Sequence, residues 1–168
     1  MKITEKNSKA IFFDRDGTLI IDKNYLNDPD LIQFFPDTLK ALVILYNLGY
    51  QFFVVTNQSG VARGLITIDQ VEAIHQRMNE ILKNHHPKLI IEKFLFCPHV
   101  PSDHCSCRKP KPGMIEAILK SNCDIDVKSS WMIGDKDIDV QAGEAMGLNT
   151  YHIINGDLLS FINKIISQ

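Results

Sequence analysis

Five short apolar runs alternate with segments of helical periodicity, and this alternation restricts the possible folds more than any other feature of the chain. The runs are "KAIFFD" (9–14), "YQFFVVT" (50–56), "EKFLF" (92–96), "SWMIGD" (130–135) and "NTYHII" (149–154). Between them, "PDTLKALVILYNLG" (36–49) carries Pro36 near its start and Gly49 where a helix would stop. "TIDQVEAIHQRMNEILKNHH" (67–86) opens with Thr67 and Gln70 at the spacing of a capping box. "GMIEAILKSN", "DIDVQAGEAMG" and "DLLSFINKII" read as shorter helices. Strands that alternate with helices predict an α/β fold, a Rossmann-like three-layer arrangement around a parallel sheet. With 168 residues and no repeat or linker, residues 1–168 are expected to form a single domain.

Composition narrows the partners. Apolar residues make up 45% and charged residues 23%, which is near the globular average and speaks against disorder. The longest apolar run, "ALVILY", is far too short to cross a bilayer, and "MKITEKNS" lacks the apolar stretch of a secretory signal. A soluble, cytoplasmic protein with no membrane partner is the expectation. A net charge of -2 supplies no basic footprint for nucleic acid, so an anionic ligand must be held by a few placed cations.

In open parallel sheets, ligands bind beyond the carboxyl ends of the strands. Asp14 follows the first run, Thr56 and Asn57 close the second, and Asp135 follows the fourth. Asp14, Asp16 and Asp135 on one edge would repel one another unless they shared a cation, and hard oxygen ligands of this kind suit Mg²⁺. Asp16-Gly17-Thr18 by itself also reads as a turn. "DxDGT" straight after a strand, matched by "GDxxxD" after another, points instead to chemistry. One ionised carboxylate can attack phosphorus, and its crowded neighbour, with a raised pKa, can give and take a proton. Asp14 is assigned as nucleophile and Asp16 as acid/base. "TNQSG" (56–60) and "CRKPKPG" (107–113), with Arg108 and Lys109, offer donors for a phosphoryl group. The absence of GxxxxGK[ST] and GxGxxG disfavours a P-loop or a dinucleotide site.

Cys97, Cys105 and Cys107 lie within eleven residues together with His99 and His104. Three thiolates and one imidazole make a structural Cys₃His zinc set, with either histidine as the fourth ligand. That loop runs into Arg108 and Lys109, so zinc would fix these cations rather than take part in hydrolysis. His75, His85 and His86 are expected to face solvent or cap the long helix, His152 to sit in the core or at a sheet edge, and Cys123 to pack within a helix. Arg63 is a looser candidate for contact with sugar hydroxyls or a second phosphate.

"FFDRDGT", "VTNQSG", "RKP" and "IGDKDID", in this order, resemble the four motifs of the haloacid dehalogenase superfamily of Mg²⁺-dependent phosphohydrolases, over about residues 11–150. "DRDGTLIID", "NQSGVARGL" and "CPH…CSCRKPKPGM" resemble the branch acting at C7 of heptose 1,7-bisphosphate, with histidinol-phosphate phosphatases as the nearest rival. The resemblance implies a sheet with a short zinc loop and no large cap domain, and a monomer whose partner is a sugar bisphosphate. It implies Mg²⁺ on the Asp14 side chain, the Asp16 carbonyl and Asp135, with Thr56 and Lys109 on the phosphoryl group. It places Asp22, Tyr25, Asn57, Gln58, Ser59, Arg108 and Lys136 against substrate, and it selects His99 as the fourth zinc ligand. Asp139, the trailing acid of the last motif, either supports the metal ligands from behind or serves as an N-terminal helix charge.

Overall fold

The structure, a computed structural model, describes residues 7–167. Strands β1 (Lys9–Phe13), β2 (Tyr50–Asn57), β3 (Lys93–Cys97), β4 (Trp131–Gly134) and β5 (Asn149–His152) fall on the five apolar runs. They form one parallel sheet in the order β3-β2-β1-β4-β5. Parallel neighbours need crossovers, and five helices supply them or close the chain: α1 (Thr38–Asn47), α2 (Ile68–His85), α3 (Gly113–Ser121), α4 (Asp137–Ala145) and α5 (Leu158–Ile166).

The period of two along each strand sorts the side chains into two cores. Ile11, Phe13, Phe52, Val54, Trp131 and Ile133 point to the face covered by α1, α2 and α5, where Leu42, Ile74, Met78 and Phe161 meet them. Ala10, Phe12, Phe53, Val55 and Met132 point the other way, against Met114, Ile115 and Ile118 of α3 and Ala142 of α4. A sheet buried on both faces explains why the strands read as continuous apolar runs. The Thr67 hydroxyl caps the Gln70 N–H at 3.1 Å, and the Gln70 side chain accepts from the Thr67 N–H at 2.9 Å. That reciprocal pair fixes where α2 begins.

Among the described residues no large cap domain is present, and no helix is long and apolar enough to cross a membrane. The carboxyl edge of the sheet is instead flanked by two loops, one between β1 and α1 and one between β3 and α3.

Candidate active site

β1 and β4 are adjacent, and the Asp14 N–H donates to the Ile133 carbonyl at 2.9 Å, which continues their pairing one residue past β1. The Asp14 carboxylate therefore leaves the centre of the sheet edge in a fixed direction. Lys109 reaches it from the loop before α3. Its Nζ donates to Asp14 Oδ1 at 2.7 Å and to the Val55 carbonyl at 2.7 Å, and pairs with Asp139 Oδ1 at 2.6 Å. Two hydrogen bonds and a second ion pair thus surround the ammonium. Burial alone would lower the Lys109 pKa, but Asp14 and Asp139 outweigh it and hold the pKa above the usual lysine value.

Asp139 is buried and its other oxygen accepts from the Lys136 N–H at 3.1 Å, so it caps α4 and partners Lys109 at once. The reading as an N-terminal helix charge therefore fits this residue, which pairs with Lys109 in addition. A Cβ on Gly134 would collide with the Asp139 carboxylate, so only glycine at the end of β4 permits that approach. Burial first, and then the nearby Asp14 charge, push the Asp139 pKa up to about 6, with Lys109 pulling the other way.

Asp16 is held quite differently. Arg15, only 1% exposed, donates through Nε to Asp16 Oδ2 at 3.0 Å, and its Nη2 lies 3.0 Å from Oδ2 and 3.3 Å from Oδ1. Gln58 Nε2 donates to Asp16 Oδ2 at 2.8 Å and to Thr56 Oγ1 at 2.9 Å. Desolvation raises the Asp16 pKa, Arg15 opposes this and Asp14 reinforces it, leaving the pKa above the ordinary carboxylate value. The two acids of "DRD" thus sit in contrasting surroundings, one on an ammonium and one on a guanidinium fork.

Asn57 ties the two halves of the site together. Its Nδ2 donates to the Lys109 carbonyl at 3.1 Å, and the Lys109 N–H donates to its Oδ1 at 3.0 Å. The end of β2 and the basic loop are thereby locked in register.

These groups line a polar cavity of about 220 Å³, together with Asp22, Asn24, Tyr25, Ser59, Lys136 and Ile138. Of the residues proposed from the sequence, Asp14, Asp16, Asp22, Tyr25, Thr56, Asn57, Gln58, Ser59, Lys109 and Lys136 line this cavity, while Arg108 lines an adjoining one of about 330 Å³ that shares Lys109 and Ile138. The Arg108 guanidinium donates to the His99 carbonyl at 3.0 Å, on the zinc-type loop. Asp135 faces a third cavity, beside Gly17 and Asp22. Arg63 lines none of these three cavities.

Asp14, Asp135 and Asp139 each bring a carboxylate oxygen within 4.8 Å of the others. Asp135 Oδ1 is buried without a hydrogen-bond partner, as a carboxylate oxygen waiting for a cation would be. Burial and the Asp14 charge raise the Asp135 pKa, and a divalent ion would reverse that. Gly17 has φ +82°, and a Cβ there would collide with the Asp135 carboxylate. The glycine of "DxDGT" is thus needed both for its left-handed backbone and for the space it leaves. These donors fit a hard, oxygen-preferring cation of the Mg²⁺ kind.

The second cluster fits a softer ion. Cys97 Sγ lies 3.1 Å from Cys107 Sγ and 3.5 Å from Cys105 Sγ, and His99 Nδ1 lies 3.5 Å from both Cys97 Sγ and Cys107 Sγ. A tetrahedral zinc with bonds of about 2.0 to 2.3 Å needs ligand atoms at spacings close to these. His104 stands outside the group, exposed, at a left-handed φ of 49°. Burial, followed by hydrogen bonding with Cys107, pushes the Cys97 thiol up to about 12, a cost that metal ligation would remove.

Sequence reasoning missed three features. Arg15 was given no role, although it is a fully buried cation on Asp16. His75 was expected at the surface; it is 6% exposed, its Nε2 meets Arg15 Nη1 at 3.2 Å, and its ring stacks on Phe94 with centroids 4.4 Å apart. Cys123 was expected to pack within a helix, but α3 ends at Ser121 and the thiol is exposed.

Comparison with known proteins agrees with this geometry. The family model described as "Polynucleotide kinase 3 phosphatase" matches residues 9–146. The D-glycero-beta-D-manno-heptose-1,7-bisphosphate 7-phosphatase of Haemophilus ducreyi is 39% identical over 148 residues, covering 84% of this chain and 80% of that protein. The histidine biosynthesis bifunctional protein HisB of Blochmanniella floridana is 38% identical over 154 residues, 89% of this chain, which spans 42% of that protein. The crystal structure of D,D-heptose 1,7-bisphosphate phosphatase from B. bronchiseptica, complexed with magnesium and phosphate, superposes with a TM-score of 0.78 at 33% identity, covering 91% of this chain and 86% of that one. The chain belongs to the family of haloacid dehalogenase-type phosphatases that includes the heptose-1,7-bisphosphate 7-phosphatases.

Proposed function

We propose that the protein removes the C7 phosphate of D-glycero-D-manno-heptose 1,7-bisphosphate, giving heptose 1-phosphate for ADP-heptose and lipopolysaccharide core synthesis in the cytoplasm. The observation that carries the reading is the contrast between two neighbouring carboxylates in one cavity, Asp14 on the Lys109 ammonium and Asp16 on the Arg15 fork.

Lys109 occupies Asp14 Oδ1, so Oδ2 is the oxygen that attacks phosphorus. As the Asp14–phosphorus bond forms, the bond from phosphorus to the sugar oxygen breaks, and protonated Asp16 gives its proton to that oxygen. Water then attacks the aspartyl phosphate. Asp16, now ionised, takes a proton from the water, the Asp14–phosphorus bond breaks, and inorganic phosphate leaves. Thr56 and the Ser59 N–H would supply fixed donors to the phosphoryl oxygens, the Gln58 N–H being engaged with the Cys97 carbonyl at 2.7 Å. Asp14, Asp135 and the Asp16 carbonyl would hold Mg²⁺, which when bound neutralises charge on the transferring phosphoryl group. Cys97, His99, Cys105 and Cys107 would hold a structural Zn²⁺ that orders the loop bearing Arg108 and Lys109.

A cavity of about 220 Å³ is small beside the roughly 300–1,000 Å³ of sites for drug-sized ligands. It suits one end of an extended bisphosphate. The adjoining cavity, lined by Arg108 and Lys111, offers cations for the far phosphate. Asp22, Tyr25 and Lys136 stand where sugar hydroxyls would pass.

The similarity to HisB favours histidinol phosphate as the second candidate. Phosphate release with Mg²⁺ decides between them, through kcat/KM for both anomers of heptose 1,7-bisphosphate, for histidinol phosphate and for a DNA 3′-phosphate. A preference for heptose bisphosphate, with the beta anomer named by the relatives tested first, is the expected result. A preference for histidinol phosphate or the DNA end would keep the chemistry and replace the substrate.

A further inference from the structure

The mechanism above leaves His75 without a task, although its ring is buried against Arg15, the cation that pairs with the proposed acid. Arginine only donates, so the contact of 3.2 Å between Arg15 Nη1 and His75 Nε2 requires an unprotonated Nε2 with the ring proton on Nδ1. A protonated ring would set two donors and two positive charges against each other. Burial, and then the Arg15 charge, hold the His75 pKa down at about 3, so the accepting form persists at neutral pH. Phe94 stacks on the ring with an interplanar angle of 12°, and Phe96 meets its edge at 5.9 Å. The acceptor is therefore fixed from β3 as well as from α2.

Position matters because the two oxygens of Asp16 are not equivalent. Oδ2 accepts from Arg15 Nε at 3.0 Å and from Gln58 Nε2 at 2.8 Å, with Arg15 Nη2 also 3.0 Å away, while Oδ1 accepts from Nη2 alone, at 3.3 Å. The oxygen already crowded with donors cannot also carry a proton. Oδ1 is left to bear it. A guanidinium held only along its Nε–Nη2 edge could slide further toward Oδ1 and fill that oxygen too, and an acceptor on Nη1 removes that freedom.

We propose that His75 is a positioning residue for the proton-transfer step: by accepting from Arg15 Nη1 it fixes the guanidinium that saturates Asp16 Oδ2, and so keeps Oδ1 as the proton-carrying oxygen. This rests on the reading of Asp16 as proton donor. It is distinct from a packing role, since only the acceptor atom, and not the shape of the ring, is required.

The leaving group separates these possibilities. A sugar alkoxide needs a proton to depart, whereas p-nitrophenolate does not, and kcat/KM reports the steps up to that departure. The Mg²⁺-loaded protein is assayed on its best sugar phosphate and on p-nitrophenyl phosphate, as wild type, His75→Phe, His75→Gln and Asp16→Asn. His75→Phe keeps an aromatic ring on Phe94 but lacks the acceptor, and is expected to lose about 10- to 100-fold on the sugar phosphate. On the aryl phosphate it should stay close to wild type. His75→Gln restores an acceptor and should keep the native ratio between the two substrates. Equal losses on both substrates in His75→Phe, or a ratio in His75→Gln shifted as in Asp16→Asn, overturn the proposal. The glutamine variant decides even if the phenylalanine variant does not fold. If Asp16→Asn itself shows no leaving-group dependence, the acid assignment falls and takes this inference with it; if it does and His75→Phe does not, only the role of His75 falls.

Discussion

Lys109 Nζ lies 2.7 Å from Asp14 Oδ1 in a site where the lysine is 3% exposed, and the same ammonium meets Asp139 at 2.6 Å. One cation therefore neutralises two buried carboxylates, one just past β1 and one in the first turn of α4. Lys109→Met would leave both charges unpaired, an uncompensated arrangement that costs about 3–5 kcal/mol. Urea unfolding in the presence of a chelator should show that loss, and phosphate release should fall by about 10²- to 10³-fold. A variant that unfolds like wild type would contradict the assignment of this ion pair as structural.

Gly17 sets the space for Asp135. Gly17→Ala places a methyl group against that carboxylate and strains a backbone at φ +82°. The expected result is a rise of about 10- to 100-fold in the Mg²⁺ concentration for half-maximal activity, the size of effect seen when the support of a metal ligand is lost. An unchanged Mg²⁺ titration would remove Asp135 from the metal site.

The sulfur cluster should hold its ion independently of turnover. Cys107→Ser replaces one of three thiolates, so zinc content measured on the purified protein is expected to drop well below one per chain. The urea midpoint should fall with it, since structural zinc contributes folding free energy directly. Retention of full zinc content would sink the four-ligand assignment.

Acid should destabilise the protein partly through His75. Its folded pKa of about 3 lies below the ordinary value of 6.5, so the unfolded chain binds the proton first. The contribution is complete above pH 6.5 and is lost as pH falls toward 3, at up to about 1.4 kcal/mol per pH unit. Stability of wild type minus that of His75→Gln, measured at pH 7, 6 and 5, should shrink at each step. A constant difference would mean that the imidazole is not buried neutral.

Much of the architecture was legible because buried parallel strands and amphipathic helices write different periods into the sequence. The strand ends located Asp14, Thr56 and Asp135 before any geometry was known. His75 was misread for an instructive reason. Val71, Ile74, His75, Met78 and Leu82 share one stripe of α2, so the helical period did place the histidine inside, and its polar identity was allowed to overrule its position. Arg15 could not be read at all, since burial of a cation depends on Asp16 and His75 closing around it from two elements. Asn57 and Gln58 were expected against substrate and do line the cavity, yet their amides are engaged with Lys109, Asp16 and Thr56. Which side chains an amide will satisfy is decided by tertiary contacts that leave no local signature. Cys123 was misplaced by two residues of helix, because Asn122 Nδ2 donates back to the Ile118 carbonyl at 2.8 Å and the chain turns away.

The order of the strands also bears on how the site comes into being. β1, made before the other four strands of the sheet, takes its middle, and one of its two neighbours is β4. Asp14 is synthesised 95 residues before the lysine that neutralises it. Until that lysine is made, Asp14, the proposed nucleophile, lacks the cation that pairs with it. The surroundings on which the proposed reactivity depends are complete only when the segment bearing Lys109 and β4 has docked.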